Sequence, residues 1–412
     1  MKNHRDRCAW ARRWAETAFK SALGAGKNDV GHRSRLTKRA GLGASAGRAY
    51  IEKGRTGAIT ETGARVADRI YLDHAATTPM LPQAQAAMAE AFARWANPSS
   101  PHAEGRAAKA ALEDARARIK AALGWGDHLI FTSGASEAAA LALGRASLPG
   151  RAVSAVEHDS VRRAAPNAGL IPVGADGIAD LDAIPERALV AIQTVNSETG
   201  VIQPFDEVAA AIRARAGLWL ADAAQSASKI PLPDADMIVV STHKLGGPPG
   251  IGALLIRDLS ALAASGGQEQ GYRGGTENLP AAIGFVAALE ARGSRDHLPA
   301  LRQRLDEGVR EAGGTIVAGD SPRLPEIASY SLSGVPAAAQ LIALDMAGIA
   351  VSAGSACSSG TLKPSAVLSA MGWPEEAARE VIRVSLAPQT TIAEVDRLLQ
   401  VWAELAERRR AA

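Results

Sequence analysis

The run Val239-Val240-Ser241-Thr242-His243-Lys244-Leu245-Gly246-Gly247-Pro248-Pro249-Gly250 puts an amine where chemistry is the best reason for one. An apolar stretch ends in hydroxyls, then His243 and Lys244, then a glycine–proline turn. Lysine suits a tight turn poorly unless its amine has a task there. Upstream, Leu218-Trp219-Leu220-Ala221 ends in Asp222, with Gln225 close behind. In Phe131-Thr132-Ser133-Gly134-Ala135-Ser136-Glu137 small residues follow one apolar run and open a helical one. Such backbone approaches an anion closely, and the new helix presents free N–H groups and a positive dipole end. A lysine able to form a Schiff base, an aspartate able to hold a proton on a pyridine nitrogen and a phosphate cradle through Ala135 and Ser136 together describe a pyridoxal 5′-phosphate site. Gln225 is placed to reach the phenolic oxygen of that ring.

Three further residues could join this chemistry, and each has a plainer reading. His158, in Val156-Glu157-His158-Asp159-Ser160, could stack on a ring and move protons, or serve as a turn residue. Cys357 sits among Gly, Ser and Ala from Val351 to Gly360, a setting that suits an accessible nucleophilic thiol better than a structural cysteine. A cysteine hydrolase lacks any local signature here. Arg383, in Val381-Ile382-Arg383-Val384-Ser385-Leu386, could clamp a carboxylate with two hydrogen bonds or lie on the surface of an edge strand. Likewise, the Ser/Gly run before the helix could be an ordinary N-cap, and Asp222 a turn cap.

These residues need elements that bring them together. Strands are predicted at Leu129–Thr132, Ala152–Ala155, Leu189–Thr194, Leu218–Ala221, Met237–Ser241 and Ala253–Ile256. Helical periodicity covers Gln83–Trp95, Gly105–Leu123 and Ala138–Leu143. Short apolar runs alternating with helices predict an α/β domain with a largely parallel sheet, whose ligands sit beyond the carboxyl ends of the strands. After about residue 296 the pattern predicts a second, α+β layer. The chain has 412 residues, enough for two domains, since single cores stop growing at roughly 250–300 residues.

No apolar run is long enough to span a bilayer, and no cluster of residues has metal-ligand spacing. Cys8 and Cys357 are the only cysteines, which argues against a disulfide framework and fits a reducing compartment. The net charge of +3 hides an asymmetry: residues 1–69 carry 16 Lys/Arg against 6 Asp/Glu, and the remainder 30 against 37. The basic extension 1–69 reads as poorly ordered apart from a short helix around Ala9–Leu23. It lacks the interleaved aromatics of a nucleic-acid arm, so no nucleic-acid partner is expected.

Taken in order, the motifs resemble those of one family. Tyr71-Leu72-Asp73-His74-Ala75-Ala76-Thr77-Thr78-Pro79, Asn97-Pro98-Ser99-Ser100 with His102, the Thr132–Glu137 cradle, Glu157-His158, Ser241-x-His243-Lys244, Arg273-Gly274-Gly275-Thr276 and Gly354-Ser355-Ala356-Cys357-Ser358 are similar to the cysteine desulfurases. These belong to the class V aminotransferase group of fold type I pyridoxal-phosphate enzymes. The resemblance spans about residues 70–405. It implies a large, mainly parallel seven-stranded sheet domain over 85–295. A smaller α+β C-terminal domain would combine 70–84 with 296–412 and carry a mobile cysteine loop.

By residue, the resemblance implies that Lys244 holds the cofactor covalently, Asp222 its pyridine nitrogen and Gln225 its phenolic oxygen. Ser136, Ser241 and His243 would bind phosphate with Ala135, and Thr276 would reach across from the partner subunit of a homodimer. His158 would stack on the ring, Ser197 would support cofactor and substrate, and Asn196 and Arg383 would bind substrate. Cys357 would take sulfur from L-cysteine as a persulfide, release alanine and pass the sulfur to a protein acceptor such as an iron–sulfur scaffold. A cytoplasmic enzyme with no membrane partner is expected. A selenocysteine lyase, another class V reaction, or an inactive homologue serving as a binding module are the alternatives. The chain departs from the family pattern in three places: Ser197 stands where a second Asn is usual, Pro249 where Lys is usual, and Ala387-Pro388 where Gly-Arg is usual.

Overall fold

The computed structural model describes residues 69–354 and 365–411. The expected Ala9–Leu23 helix, the extension up to residue 68 and the segment 355–364 containing Cys357 lie outside the described residues. In chain order, β1 (Ile70–Tyr71) leads through α1 (Pro82–Phe92) and α2 (Ala103–Leu123) to β2 (His128–Thr132), α3 (Ala135–Arg145), β3 (Gly150–Ser154), α4 (Asp159–Ala164) and β4 (Gly169–Ile171). Next come β5 (Ala188–Ala191), α5 (Phe205–Arg213), β6 (Leu218–Asp222), β7 (Met237–Ser241), β8 (Gly252–Ile256), α6 (Leu279–Glu290) and α7 (Leu298–Glu311). The chain closes with β9 (Thr315–Ile316), β10 (Ile327–Ser331), α8 (Ala337–Met346), β11 (Ile349–Ala350), α9 (Ala366–Ala370), α10 (Glu375–Ala378), β12 (Val381–Ser385) and α11 (Ile392–Ala411).

Seven strands form one sheet in the order β2-β8-β7-β6-β5-β3-β4. The pairs β3–β4, β3–β5, β5–β6 and β6–β7 are parallel, and β8 alone runs against both its neighbours, β2 and β7. The architecture is therefore the α/β arrangement expected, with a mainly parallel mixed sheet and a smaller C-terminal domain. Successive side chains of a strand point to opposite faces, and here both faces are buried. Ile238 and Val240 pack with α2, α5 and α6, whereas Met237 and Val239 pack with α3 and α4. Along α2 the spacing of Ala108, Leu112, Ala115, Ile119 and Leu123 makes one buried stripe. Burying a Leu or Ile such as Leu112 or Ile119 contributes roughly 1.5–3 kcal/mol. Gly124 ends that helix at φ 67°, a left-handed conformation that glycine adopts without strain.

Two expected elements are shorter than the sequence suggested. The strand forecast for Leu189–Thr194 stops at Ala191, because Gln193 and Thr194 turn to bond Glu157 and Asp222. The helix forecast for Gln83–Trp95 stops at Phe92, and Trp95 lies exposed just before Asn97-Pro98, where a proline disfavours helix in the residue before it.

The C-terminal layer holds an antiparallel sheet, β12-β10-β9, and a separate core of Tyr330, Trp402, Leu305, Leu344 and Leu398. Leu72 joins this core from the other end of the described chain, because β1 pairs with β11 and Asp73 bridges to Ser385. The segment after β1 then runs back to the large sheet. No helix among the described residues is long and apolar enough to cross a membrane.

Candidate active site

The carboxyl ends of β2, β3, β5, β6 and β7 share one edge of the sheet, and most of the expected site residues leave from it. Asp222 ends β6 and Ser241 ends β7, its immediate neighbour. His243 and Lys244 follow in a single 3-10 turn. Glu157 and His158 follow β3, and Gln193 to Asn196 follow β5.

The Lys244 amine has no hydrogen bond or ion pair among the described residues, although its carbonyl accepts from Thr78 Oγ1 at 3.3 Å. Desolvation holds its amine below the ordinary lysine range; Asp222 opposes that shift and Arg383 reinforces it. Asp222 accepts from the Ala224 N–H through Oδ1 at 2.8 Å, so the plain turn-capping role is real, while Oδ2 stays without a partner among the described residues. His158 caps α4, its Nδ1 lying 2.7 Å from Ser160 Oγ. Burial lowers its basicity, the Lys244 charge adds to this, and Asp222 opposes it. Lys244, Asp222 and His158 thus share one electrostatic neighbourhood.

The anion cradle lies one strand further along. Thr132, Gly252 and Ser241 sit side by side across β2, β8 and β7. A Cβ on Gly252 would meet the Gly134 Cα at 2.8 Å, so glycine lets the β2–α3 turn close on the end of the sheet. Gly134 itself has φ 152°, a conformation side chains rarely allow. The first N–H groups of α3, on Ala135 and Ser136, have no partner among the described residues and face no helical carbonyl. Glu137 stiffens this turn, accepting from Ser133 N–H and pairing with Arg273 at 2.8 Å.

Residues 73–81 form a strap over the lysine turn, a contribution that the motif analysis did not assign. The Thr78 N–H donates to His243 O at 2.8 Å, the Leu81 N–H to Gly246 O at 2.8 Å, and Gln225 Nε2 to Ala75 O at 2.9 Å. At the other end Asp73 pairs with Arg383 at 2.8 Å. Arg383 is buried, not the surface residue of the plainer reading. Its Nη1 donates to Ser197 O at 3.1 Å, and its Nε is buried without a partner.

Other expected residues are placed differently. Asn196 is buried and committed to its own turn: Oδ1 accepts from the N–H groups of Glu198 and Thr199, and Nδ2 donates to Val156 O. Ser197 meets the site through its carbonyl. Thr276 lies exposed on the loop before α6, away from any hydrogen bond to the site residues of its own chain. Cys357 is outside the described residues.

Two more charged groups reach this site, Glu157 from a motif that assigned it no role and Lys229 from outside every motif. Glu157 is fully buried, accepts from the Gln193 N–H and is pushed well up by desolvation and by Asp222. Lys229 is half-buried, its amine lowered to about 8 chiefly by desolvation. Their surroundings are set by the fold, which brings both to the site.

The donor set fits pyridoxal phosphate. A free amine, a carboxylate with one open oxygen and a free helix N-terminus converge on one sheet edge. The buried Gln225 Oε1 has no partner and would accept from a phenolic hydroxyl. Among the described residues no group of three His, Cys, Asp or Glu side chains could hold a metal ion.

Comparison with known proteins agrees with this geometry. The family model for class V aminotransferases matches residues 70–398. A cysteine desulfurase of Cereibacter sphaeroides is 36% identical over 377 residues, covering 84% of this chain and 97% of the relative. One from Gluconacetobacter diazotrophicus is 38% identical over 369 residues, covering 81% and 92%. Among solved structures, a NifS-like protein from Rickettsia africae superposes with a TM-score of 0.74 at 29% identity, covering 82% of this chain and 99% of that one.

Proposed function

Because the chain belongs to the class V aminotransferase family and, within it, to the cysteine desulfurases, we propose that it takes sulfur from L-cysteine, leaves L-alanine and carries the sulfur on Cys357. The observation that carries this reading is the unpaired Lys244 amine beside Asp222, one strand from a free helix N-terminus. Pyridoxal phosphate, when bound, supplies an electron sink for the carbon skeleton of the substrate. Lys244 would hold it, with Asp222 at the pyridine nitrogen, Gln225 at the phenolic oxygen, and Ala135, Ser136, Ser241 and His243 around the phosphate.

The chain's own residues then have distinct tasks. Burial favours the neutral Lys244 amine, which is the form able to take up the α-proton. Asp222 would hold a proton on the pyridine nitrogen through its open oxygen. His158 sits beside both as a mainly neutral imidazole, suited to stacking on the ring and relaying a proton. Arg383 holds its guanidinium rigidly against Asp73 and Ser197 O and keeps a buried N–H at Nε for a substrate carboxylate. Asn196 sets the turn that presents Ser197 O, and Ser197 lines the same corner.

At Cys357 the thiolate attacks the substrate sulfur. An S–S bond forms as the substrate Cβ–S bond breaks, the electron pair passes to the carbon skeleton, and the thiol proton ends on carbon as alanine is completed. No external oxidant is needed, because Cβ is reduced as the transferred sulfur is oxidised. This reading includes a homodimer in which Thr276 serves the partner subunit, a protein acceptor for the sulfur, and division of the chain into 85–295 and 70–84 with 296–412. The test is assay of sulfide and alanine with L-cysteine. Equal amounts of both, abolished in Cys357→Ala, are expected. Alanine formed at the full rate by Cys357→Ala, or release of selenium from selenocysteine with no action on cysteine, would contradict the reading.

A further inference from the structure

Residues 354 and 365 flank the ten residues in which Cys357 lies, and both meet one carboxyl group. Ser365 Oγ donates to Glu198 Oε2 at 2.6 Å while also capping α9 through the Leu368 N–H at 3.0 Å. On the other flank, a Cβ on Gly354 would collide with the same Oε2 and with the Glu198 Cδ at 2.7 Å. Glycine at 354 and glutamate at 198 are therefore a matched pair: the carboxyl occupies the space that any side chain at 354 would need.

Glu198 is itself held firmly. It is buried, its N–H donates to Asn196 Oδ1 at 2.9 Å, and its carbonyl accepts from Ser329 Oγ of β10 at 2.8 Å. Its neighbour Ser197 accepts from Arg383. Two residues before Gly354, Ser352 exchanges backbone hydrogen bonds with Arg383. One short turn, 196–198, thus touches both the guanidinium assigned to the substrate carboxylate and both flanks of the cysteine segment.

We propose that Glu198 is a positioning residue for sulfur transfer: by its hydrogen bond to Ser365 and its close packing against Gly354 it anchors both roots of the Cys357 segment to the corner assigned to the substrate carboxylate, setting the distance the thiol must span. The inference rests on the reading of Cys357 given above. Glu198 touches no substrate atom and acts through Gly354 and Ser365. Burial pushes its carboxyl up, against the opposing effects of Ser365 and Arg383, so the amide of glutamine is a close stand-in for it.

The test uses holoenzyme carrying Glu198→Ala, Glu198→Gln, Ser365→Ala or Cys357→Ala. The readouts are the cofactor absorbance, its change on titration with L-cysteine, and the single-turnover rate of persulfide formation on Cys357 by alkylation and mass spectrometry. Misplacing a reacting group by about 1 Å costs up to on the order of 10²-fold in rate. Glu198→Ala should therefore bind cofactor and cysteine as the parent does, yet form persulfide about ten- to a hundredfold more slowly. Glu198→Gln should restore the rate to within about threefold, and Ser365→Ala, which loses one hydrogen bond, should lose about three- to tenfold. A parental persulfide rate in Glu198→Ala, or a loss fully accounted for by weaker cysteine binding, overturns the proposal. If Glu198→Ala cannot be loaded with cofactor, Ser365→Ala decides, and an unchanged rate there overturns it. Full desulfuration by Cys357→Ala would instead overturn the role of Cys357 itself.

Discussion

Lys244, Asp222 and Ser241 leave adjacent strands of one continuous sheet, and all lie within 23 residues of sequence. Arg383 meets its partners Asp73 and Ser197 across sequence separations of 310 and 186 residues. The first corner is made by strand register, which a buried parallel sheet fixes strongly because a one-residue slip would turn every side chain to the wrong face. The second is made by a buried ion pair and backbone carbonyls, and it exists only when the C-terminal layer and the 73–81 strap are both in place. On the proposed function, the chemistry that needs a fixed ring position would be built on the first corner and the handling of substrate on the second. The two are joined by the strap, which bonds His243 O at one end and Arg383 at the other.

The comparison predicts that damage to each corner will look different. Lys244→Ala should give the largest effect, a loss of activity on the order of 10³-fold or more with the fold intact. Circular dichroism and thermal melts close to the parent's would check the second half. Asp73→Ala should behave oppositely. It strands the Arg383 guanidinium, so stability should fall by about 3 kcal/mol, and KM for cysteine should rise while any cofactor bound keeps its absorbance. A Lys244-like outcome for Asp73→Ala, with stability unchanged, would erase the distinction.

The strap offers a pH test of intermediate size. Burial, with Lys229 adding, lowers the His74 imidazole to about 4. The unfolded chain, with histidine near 6.5, therefore binds more protons than the folded one between about pH 6.5 and 4. The neutral imidazole in the folded state is matched by a neutral one in the unfolded state above pH 6.5, so nothing is lost there. As pH falls through the window, stability should drop by up to about 3 kcal/mol. His74→Gln should flatten that part of the denaturant-midpoint profile, and an unchanged slope would count against a buried neutral His74. The smallest effect is expected of Ser241→Ala at the anion cradle, where one lost hydrogen bond should weaken pyridoxal phosphate binding by about three- to tenfold, measured by equilibrium dialysis.

These differences also explain what could be read from the chain. The strands leading to Asp222 and Lys244 are five-residue elements that begin with four apolar residues and end in motifs, so the apolar runs located them closely. β4 went unseen because it has only three residues, two of them exposed, too short for an apolar run to stand out. Arg383 could be named but not placed: an arginine in an apolar strand looks the same whether it meets solvent or Asp73. The resemblance implies that Asn196 binds substrate; its side chain bonds the turn that presents Ser197 and Glu198, a use that only the fold displays. The roles of Glu157, Glu198 and Lys229 could not be read locally, since a charge withdrawn from water is recognisable only by what surrounds it. Thr276 can be weighed only in an assembly.

The central claim is that the Lys244 amine, left unpaired on the sheet edge, is the point of covalent attachment for pyridoxal phosphate. Borohydride reduction of the purified holoprotein, followed by peptide mass spectrometry, tests it most directly. The account predicts a pyridoxyl mass on Lys244 and absence of that mass in Lys244→Ala. A pyridoxyl mass fixed on another lysine such as Lys229, or none at all from a protein that has bound the cofactor, would contradict it.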